Sequence, residues 1–113
     1  MTGVGIDLIE IERIERALER RPRLAERLFT RAELAYANER ARPGSHLAAR
    51  FAAKEAVIKA LGQGVAPREI EVEAGEPPRV HLHGRAAELA QGRDLAISLT
   101  HSRDTAAAVA VAG

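Results

Sequence analysis

The chain has 113 residues, a formal net charge of +1 and no cysteine; this fits one domain over residues 1–113 and excludes disulfides and thiolate metal sites. No apolar run nears membrane-spanning length, and Asp7, Glu10, Glu12 and Arg13 interrupt any signal-peptide pattern, so no membrane contact and a cytoplasmic location are expected. Near-zero charge and only three aromatics, Phe29, Tyr36 and Phe51, argue against nucleic acid, and a core of aliphatics and alanine this thin favours assembly into an oligomer.

In chain order, GVGIDLIEI alternates Val4, Ile6 and Leu8 against Gly3, Gly5 and Asp7, which predicts a strand over about residues 3–9. A helix follows from near Glu10, with Ile11, Ile14 and Leu18 as its apolar stripe, and Arg21-Pro22 ends it. Residues 23–29 read as a short helical turn. Thr30 and Glu33 form a capping-box pattern that opens another helix, broken at Pro43-Gly44. A long helix runs from about Ser45 to Leu61. REIEVEA and PRVHLHG predict a hairpin across Gly75-Glu76-Pro77, GRAAELAQG a brief helix, and LAISLT with TAAAVAVA a last hairpin around His101-Ser102-Arg103-Asp104. The order of elements predicts an α+β fold, a long central helix packed on antiparallel strands.

The long helix raises a chemical question. RFAAKEAVIKALGQG, residues 50–64, is apolar enough to be packed and closes on Gly62 and Gly64, yet it contains Lys54, Glu55 and Lys59. Fifteen of the seventeen basic residues are arginine, so the chain's only two lysines flank this one glutamate. Lysine offers a compact, mobile point charge of the kind phosphate sites use. On a helical wheel at about 100° per residue, Leu47 and Ile58 fall within roughly 40° of Phe51, which marks those three as the core-facing stripe. Glu55 lies at about 40° on the other flank, where a carboxylate is costly to desolvate unless a cation meets it. Lys59, one turn on, is one candidate, as an ordinary i,i+4 pair. A metal ion is the other. Asp7 is its counterpart: aspartate is depleted in strands, and this one shares a face with Gly3 and Gly5, which permit close approach of a backbone or a ligand. The plainer role for Asp7 is a cap on the following helix. Two such carboxylates near lysines suit magnesium, which takes one or two carboxylates and lets substrate phosphates complete its shell.

GVGIDLIEIERIE, RFAAKEAVIKALG and ISLTHSRDTAAAVAV, in this order and with FTRAEL between the first two, resemble the signatures of the bacterial holo-[acyl-carrier-protein] synthases, short members of the 4'-phosphopantetheinyl transferase superfamily. The likeness spans essentially the whole chain. It implies that fold, and Mg2+-dependent transfer of 4'-phosphopantetheine from coenzyme A to a serine of apo acyl carrier protein. Adenosine 3',5'-bisphosphate would be released, in fatty acid biosynthesis. It also implies a homotrimer with active sites between adjacent subunits. By motif, Asp7 and Glu55 match the magnesium-binding acids, and Glu55 also matches a group that helps deprotonate the serine, directly or through a metal-bound water. Lys59 joins Glu55 as a catalytic position, and Arg50, Lys54, Lys59, Gly62, His101 and Ser102 match coenzyme-binding positions.

Arg13, Arg16, Arg20, Arg21, Arg23 and Arg27 crowd the first helix and its exit, beside Glu15, Glu19 and Glu26. Such a run is commonly a solvated face laced with ion pairs. The resemblance implies instead that Arg13, Arg20, Arg23 and Arg27 receive the acidic helix of acyl carrier protein. Two departures from the family pattern bear on coenzyme contacts: Thr105 stands where an aromatic is usual, and Gly75-Glu76-Pro77 replaces a glycine-lysine-proline bend. His81 and His83 share a strand face with no third ligand evident, and His46 carries no signal. Rival functions are a trimeric module that binds carrier protein or coenzyme A without transfer, and a small nucleic-acid binder using the arginine-rich helix.

Overall fold

The structure, a computed structural model, describes residues 3–62 and 64–113. Strand β1 (Gly3–Glu10) leads into helices α1 (Ile11–Arg20), α2 (Leu24–Leu28), α3 (Arg31–Asn38) and α4 (Pro43–Leu61). A 3-10 turn (Pro67–Glu69), the hairpin β2 (Ile70–Glu73) and β3 (Arg79–Leu82), α5 (Gly84–Ala90), and the hairpin β4 (Leu95–His101) and β5 (Thr105–Ala112) follow. β1, β5 and β4 form an antiparallel sheet in that order, and β2–β3 is a separate two-stranded ribbon. Among the described residues no helix is long and apolar enough to cross a membrane.

α4 lies across the three-stranded sheet, and glycines let it come close. A Cβ on Gly5 would run into the Ala56 carbonyl oxygen, and one on Gly3 into that of Ala60. The strand therefore turns its glycine side inward. Its aliphatic side faces out, with Val4, Ile6 and Leu8 at 64%, 69% and 71% exposure, and Val111 of β5, paired with Val4, joins them. Alternation gave the right period here but not the direction, because contact distance to a helix backbone outweighs side-chain hydrophobicity.

The same closeness corrects the expected stripe of α4. Leu47 is buried, but Phe51 and Ile58 are only half-buried, and the core face consists of Ala48, Ala49, Ala52, Ala53, Ala56, Val57 and Ala60. Alanine, with no side-chain bulk, is what lets backbones approach at this spacing. The helix also begins two residues earlier than expected, with Pro43 in its first turn, where the missing N–H is no loss. The capping box of α3 forms as read: Thr30 accepts from the Glu33 N–H, and Glu33 accepts from the Thr30 N–H at 2.8 Å.

Candidate functional site

Asp7 and Glu55 come together, from β1 and α4, in one pocket that Arg13, Ile14, Leu24, Leu28 and Phe51 help to line. Both acids are half-buried. Burial first, and the charge of Asp7 second, hold the Glu55 carboxyl above its ordinary range, with Lys59 pulling it back. The ordinary i,i+4 pair is not what forms, because Lys59 Nζ leaves its own helix to donate to the Ile6 carbonyl at 2.9 Å and to Asp7 Oδ1 at 3.4 Å. Nor does Asp7 cap α1, whose cap position, Glu10, makes no side-chain bond. The two carboxylates share one pocket, with Lys59 bonded to Asp7 and Arg13 on the wall. That donor set, two hard oxygens at an open pocket, fits a magnesium ion. Among the described residues no group of three histidine, aspartate or glutamate side chains gathers that could hold a metal, so two carboxylates are the share this chain offers.

Arg50 points elsewhere. It is buried on a different face of α4, about 140° around the helix from Glu55 at 100° per residue. Its guanidinium carbon lies 4.3 Å from the centre of the Tyr36 ring, on whose plane Arg40 also sits at 3.9 Å. Among the described residues the Arg50 Nε finds no hydrogen-bond partner. Burial lowers the Arg50 pKa, opposed by Tyr36 and Glu33. The residue lines an open pocket of about 500 Å³ with Tyr36, His46, Ser98, Thr100 and His101, closed on the hairpin side by Val72 and residues 74–78. His101 and His46 meet edge to face at 5.6 Å, and His46 meets Tyr36 at 5.8 Å. A buried, unpartnered guanidine N–H among imidazoles, with no metal ligand cluster, is a surface suited to an anion and a ring.

The histidine expected at the bend, His101, is instead the last residue of β4, and it reaches this pocket because its strand ends at the pocket rim. Ser102 shapes the turn that follows, donating its N–H to the Thr105 carbonyl at 2.8 Å. Gly62 closes α4 with φ at 128°, a conformation open to glycine, and donates its N–H to Ile58. His46 and Tyr36 carried no sequence signal. The available clue was spacing: His46 stands four residues before Arg50 on one helix and so shares its face.

Lys54 corrects the expectation of a phosphate ligand. Its ammonium is fully buried and donates to Glu33 Oε1 at 2.7 Å, to the Ile70 carbonyl at 2.6 Å and to the Pro67 carbonyl at 3.0 Å. An ammonium has three donors, and all are engaged. Burial lowers its pKa, and the Glu33 carboxylate opposes that. Removing either partner would strand a buried charge, at a cost of about 3–5 kcal/mol.

The arginines of the first helix are exposed, and of that run only Arg16 has an ion-pair partner among the described residues, Glu12 at 2.6 Å. A salt-laced face therefore describes one arginine of the six. Arg13 and Arg20 share a pocket on α1 that adjoins the acid pocket through Arg13, while Arg23 and Arg27 line another beside α2. His81 pairs with Glu73 at 3.1 Å on the outer hairpin.

A model of the 4'-phosphopantetheinyl transferase superfamily matches residues 3–111. The holo-[acyl-carrier-protein] synthase of Moorella thermoacetica is 52% identical, over 98% of this chain and 93% of that one. Among solved structures, the Chronobacterium ammoniagenes ACPS–CoA complex matches with a TM-score of 0.86 at 32% identity, over 99% of this chain and 96% of that one. The Bacillus anthracis holo-(acyl-carrier-protein) synthase in complex with CoA (3',5'-ADP) matches at 0.80 and 33% identity, over 97% and 94%.

Proposed function

The chain belongs to the holo-[acyl-carrier-protein] synthase family of the 4'-phosphopantetheinyl transferase superfamily, and from that premise we propose that its two pockets are the halves of one magnesium-dependent transfer site. The enzyme transfers phosphopantetheine from coenzyme A to acyl carrier protein. In the reaction a serine oxygen of the carrier attacks the phosphorus that bears the pantetheine arm. A P–O bond to serine forms as the P–O bond to the adenosine side breaks, and adenosine 3',5'-bisphosphate leaves with the electron pair. The setting is the cytoplasm, in fatty acid biosynthesis.

Asp7 and Glu55 would hold a magnesium ion, which when bound neutralises and orients the diphosphate. Glu55, in the same pocket, is the acceptor for the serine proton. Lys59 is exposed and reaches Asp7 Oδ1 at 3.4 Å beside that pocket, and it offsets charge on the leaving phosphate. Arg50, with its free N–H, and His101 hold the adenosine end of the coenzyme.

Because the acid pocket and the Arg50 pocket lie on different faces of one α4, each complete site draws on two copies of the chain. The supporting observation is the outward stripe of Val4, Ile6, Leu8 and Val111, which a neighbouring copy would cover in a homotrimer. Incubation of apo carrier protein with enzyme, coenzyme A and magnesium tests the reading: the carrier gains the mass of one phosphopantetheine. Binding with no mass gain would leave a carrier-binding module instead. Mixing Glu55→Ala with Arg50→Ala, each inactive alone, and allowing subunits to exchange is expected to restore part of the activity. A mixture that exchanges subunits and stays inactive places both halves in one chain.

Arg13, Arg20, Arg23 and Arg27, which have no ion-pair partner among the described residues, are the surface we assign to the carrier's acidic helix. Complementary charge of this kind raises encounter rate and selects the partner. Arg13→Ala and Arg20→Ala are expected to raise the KM for carrier protein by about tenfold at low salt, with the KM for coenzyme A unchanged. Carrier kinetics that do not move at low salt count against the assignment.

A further inference from the structure

Glu33 and Lys54 form the one ion pair, among the described residues, in which both side chains are fully buried, and neither takes part in the transfer described above. Together they gather four elements. Lys54, from α4, holds the Pro67 and Ile70 carbonyls at the 3-10 turn and the start of β2. Glu33, from α3, holds the Thr30 N–H with one oxygen and the Val72 N–H of β2 with the other, at 2.7 Å. At the edge of the network Thr30 donates its hydroxyl to Glu71.

Three of these elements, α3, α4 and β2, help to wall the Arg50 pocket. Glu33 and Tyr36 stand three apart on α3, and Arg50 and Lys54 four apart on α4, spacings that put each pair on one helix face. The Glu33–Lys54 pair and the Tyr36–Arg50 stack are thus successive rungs between the same two helices. Val72, held through its N–H by Glu33, lines the pocket itself. By contrast, the pocket of Asp7 and Glu55 is lined from β1, α1, α2 and α4, with no residue of α3 or β2. A change at Glu33 and Lys54 therefore acts on α3 and β2, walls that the Arg50 pocket has and the acid pocket lacks.

We propose that Glu33 and Lys54 are positioning residues that set the spacing of α3, α4 and β2, and through it the affinity of the Arg50 pocket for coenzyme A. The inference rests on reading that pocket as the coenzyme half of the site. A buried ion pair is weak evidence for stability by itself, since apolar replacements of like volume often serve as well. What the pair supplies that apolar groups do not is direction, because each donor and acceptor in it fixes a backbone group of a different wall.

The double variant Glu33→Gln with Lys54→Met tests this. It removes both charges at once, so no lone charge stays buried, while the glutamine carbonyl can still accept from β2 and methionine fills the space of the lysine stem. The expected result is a KM for coenzyme A raised about tenfold, with kcat at saturating coenzyme and the KM for carrier protein unchanged. A lower melting temperature with unchanged coenzyme KM, or a lower kcat at unchanged KM, overturns the proposal. Should the double variant fail to fold, Glu71→Ala, which cuts the tie to Thr30 and leaves the capping box of α3 in place, is read the same way: a smaller rise in coenzyme KM supports the proposal, and none overturns it. A wild-type protein that does not bind coenzyme A would sink the reading of the pocket itself, a failure distinct from wild type and variant binding it equally well.

Discussion

Glu55→Ala and Asp7→Ala are each expected to lower the rate of phosphopantetheine transfer by about a thousandfold, some 4 kcal/mol of barrier, with the oligomer intact. The two acids are the hard oxygen donors of one pocket, and the charge of Asp7 helps hold the Glu55 carboxyl above its ordinary range, after burial. On the proposed reading, losing one removes half of the protein's share of the magnesium site. Asp7 touches the lysine at 3.4 Å, so Asp7→Ala also leaves the ammonium with the Ile6 carbonyl alone, at 2.9 Å. Neither change opens the core, since both side chains sit at the half-buried edge. Transfer measured by the carrier's mass, beside light scattering for assembly, checks the pair. A Glu55→Ala enzyme that still turns over would remove the case for the site.

The second large effect is on stability. Gly5→Ala is expected to destabilise the fold by about 3 kcal/mol, enough to lower melting by more than about 10 °C in a chain of this size. The added methyl would collide with the Ala56 carbonyl oxygen and stand 3.0 Å from the Ala60 nitrogen. Both obstacles are backbone of a 19-residue helix, one inside it at Ala56 and one in its last turn at Ala60, so neither can swing aside as a side chain would. Relief has to come from β1 moving away from α4, and β1 carries Asp7 while α4 carries Glu55. Activity of the folded fraction is therefore expected to fall along with melting. A Gly5→Ala protein with wild-type melting by calorimetry would show that the strand does not depend on this contact.

Particular residues show how far the sequence was legible. Thr30 and Glu33 announced their capping box because both ends of that bond lie within one turn. The hairpins and the order of helices followed from local periodicity and from proline and glycine stops, for the same reason. Asp7 stood out as an acid in a strand and Glu55 as an acid beside a packed stripe, and the fold does bring them to one pocket. Lys54 was misread, although it lies next to Glu55 in the chain. Whether a helical lysine faces a ligand or a buried glutamate depends on α3 and β2, which lie far from it in sequence and decide where its ammonium ends. His46 and Tyr36 were silent because a ring on a helix has no meaning until another element stands opposite.

Alone, the sequence determined the elements, their order, the α+β class and the residue types with chemistry to offer, because these depend on neighbours a few positions away. Only the tertiary structure decided which side of β1 faces in, that Lys54 belongs to the scaffold, and that the acids and Arg50 open onto different faces of one helix. Those are matters of which distant backbones meet and how closely, and contact between segments fifty residues apart leaves no periodicity in the chain to read.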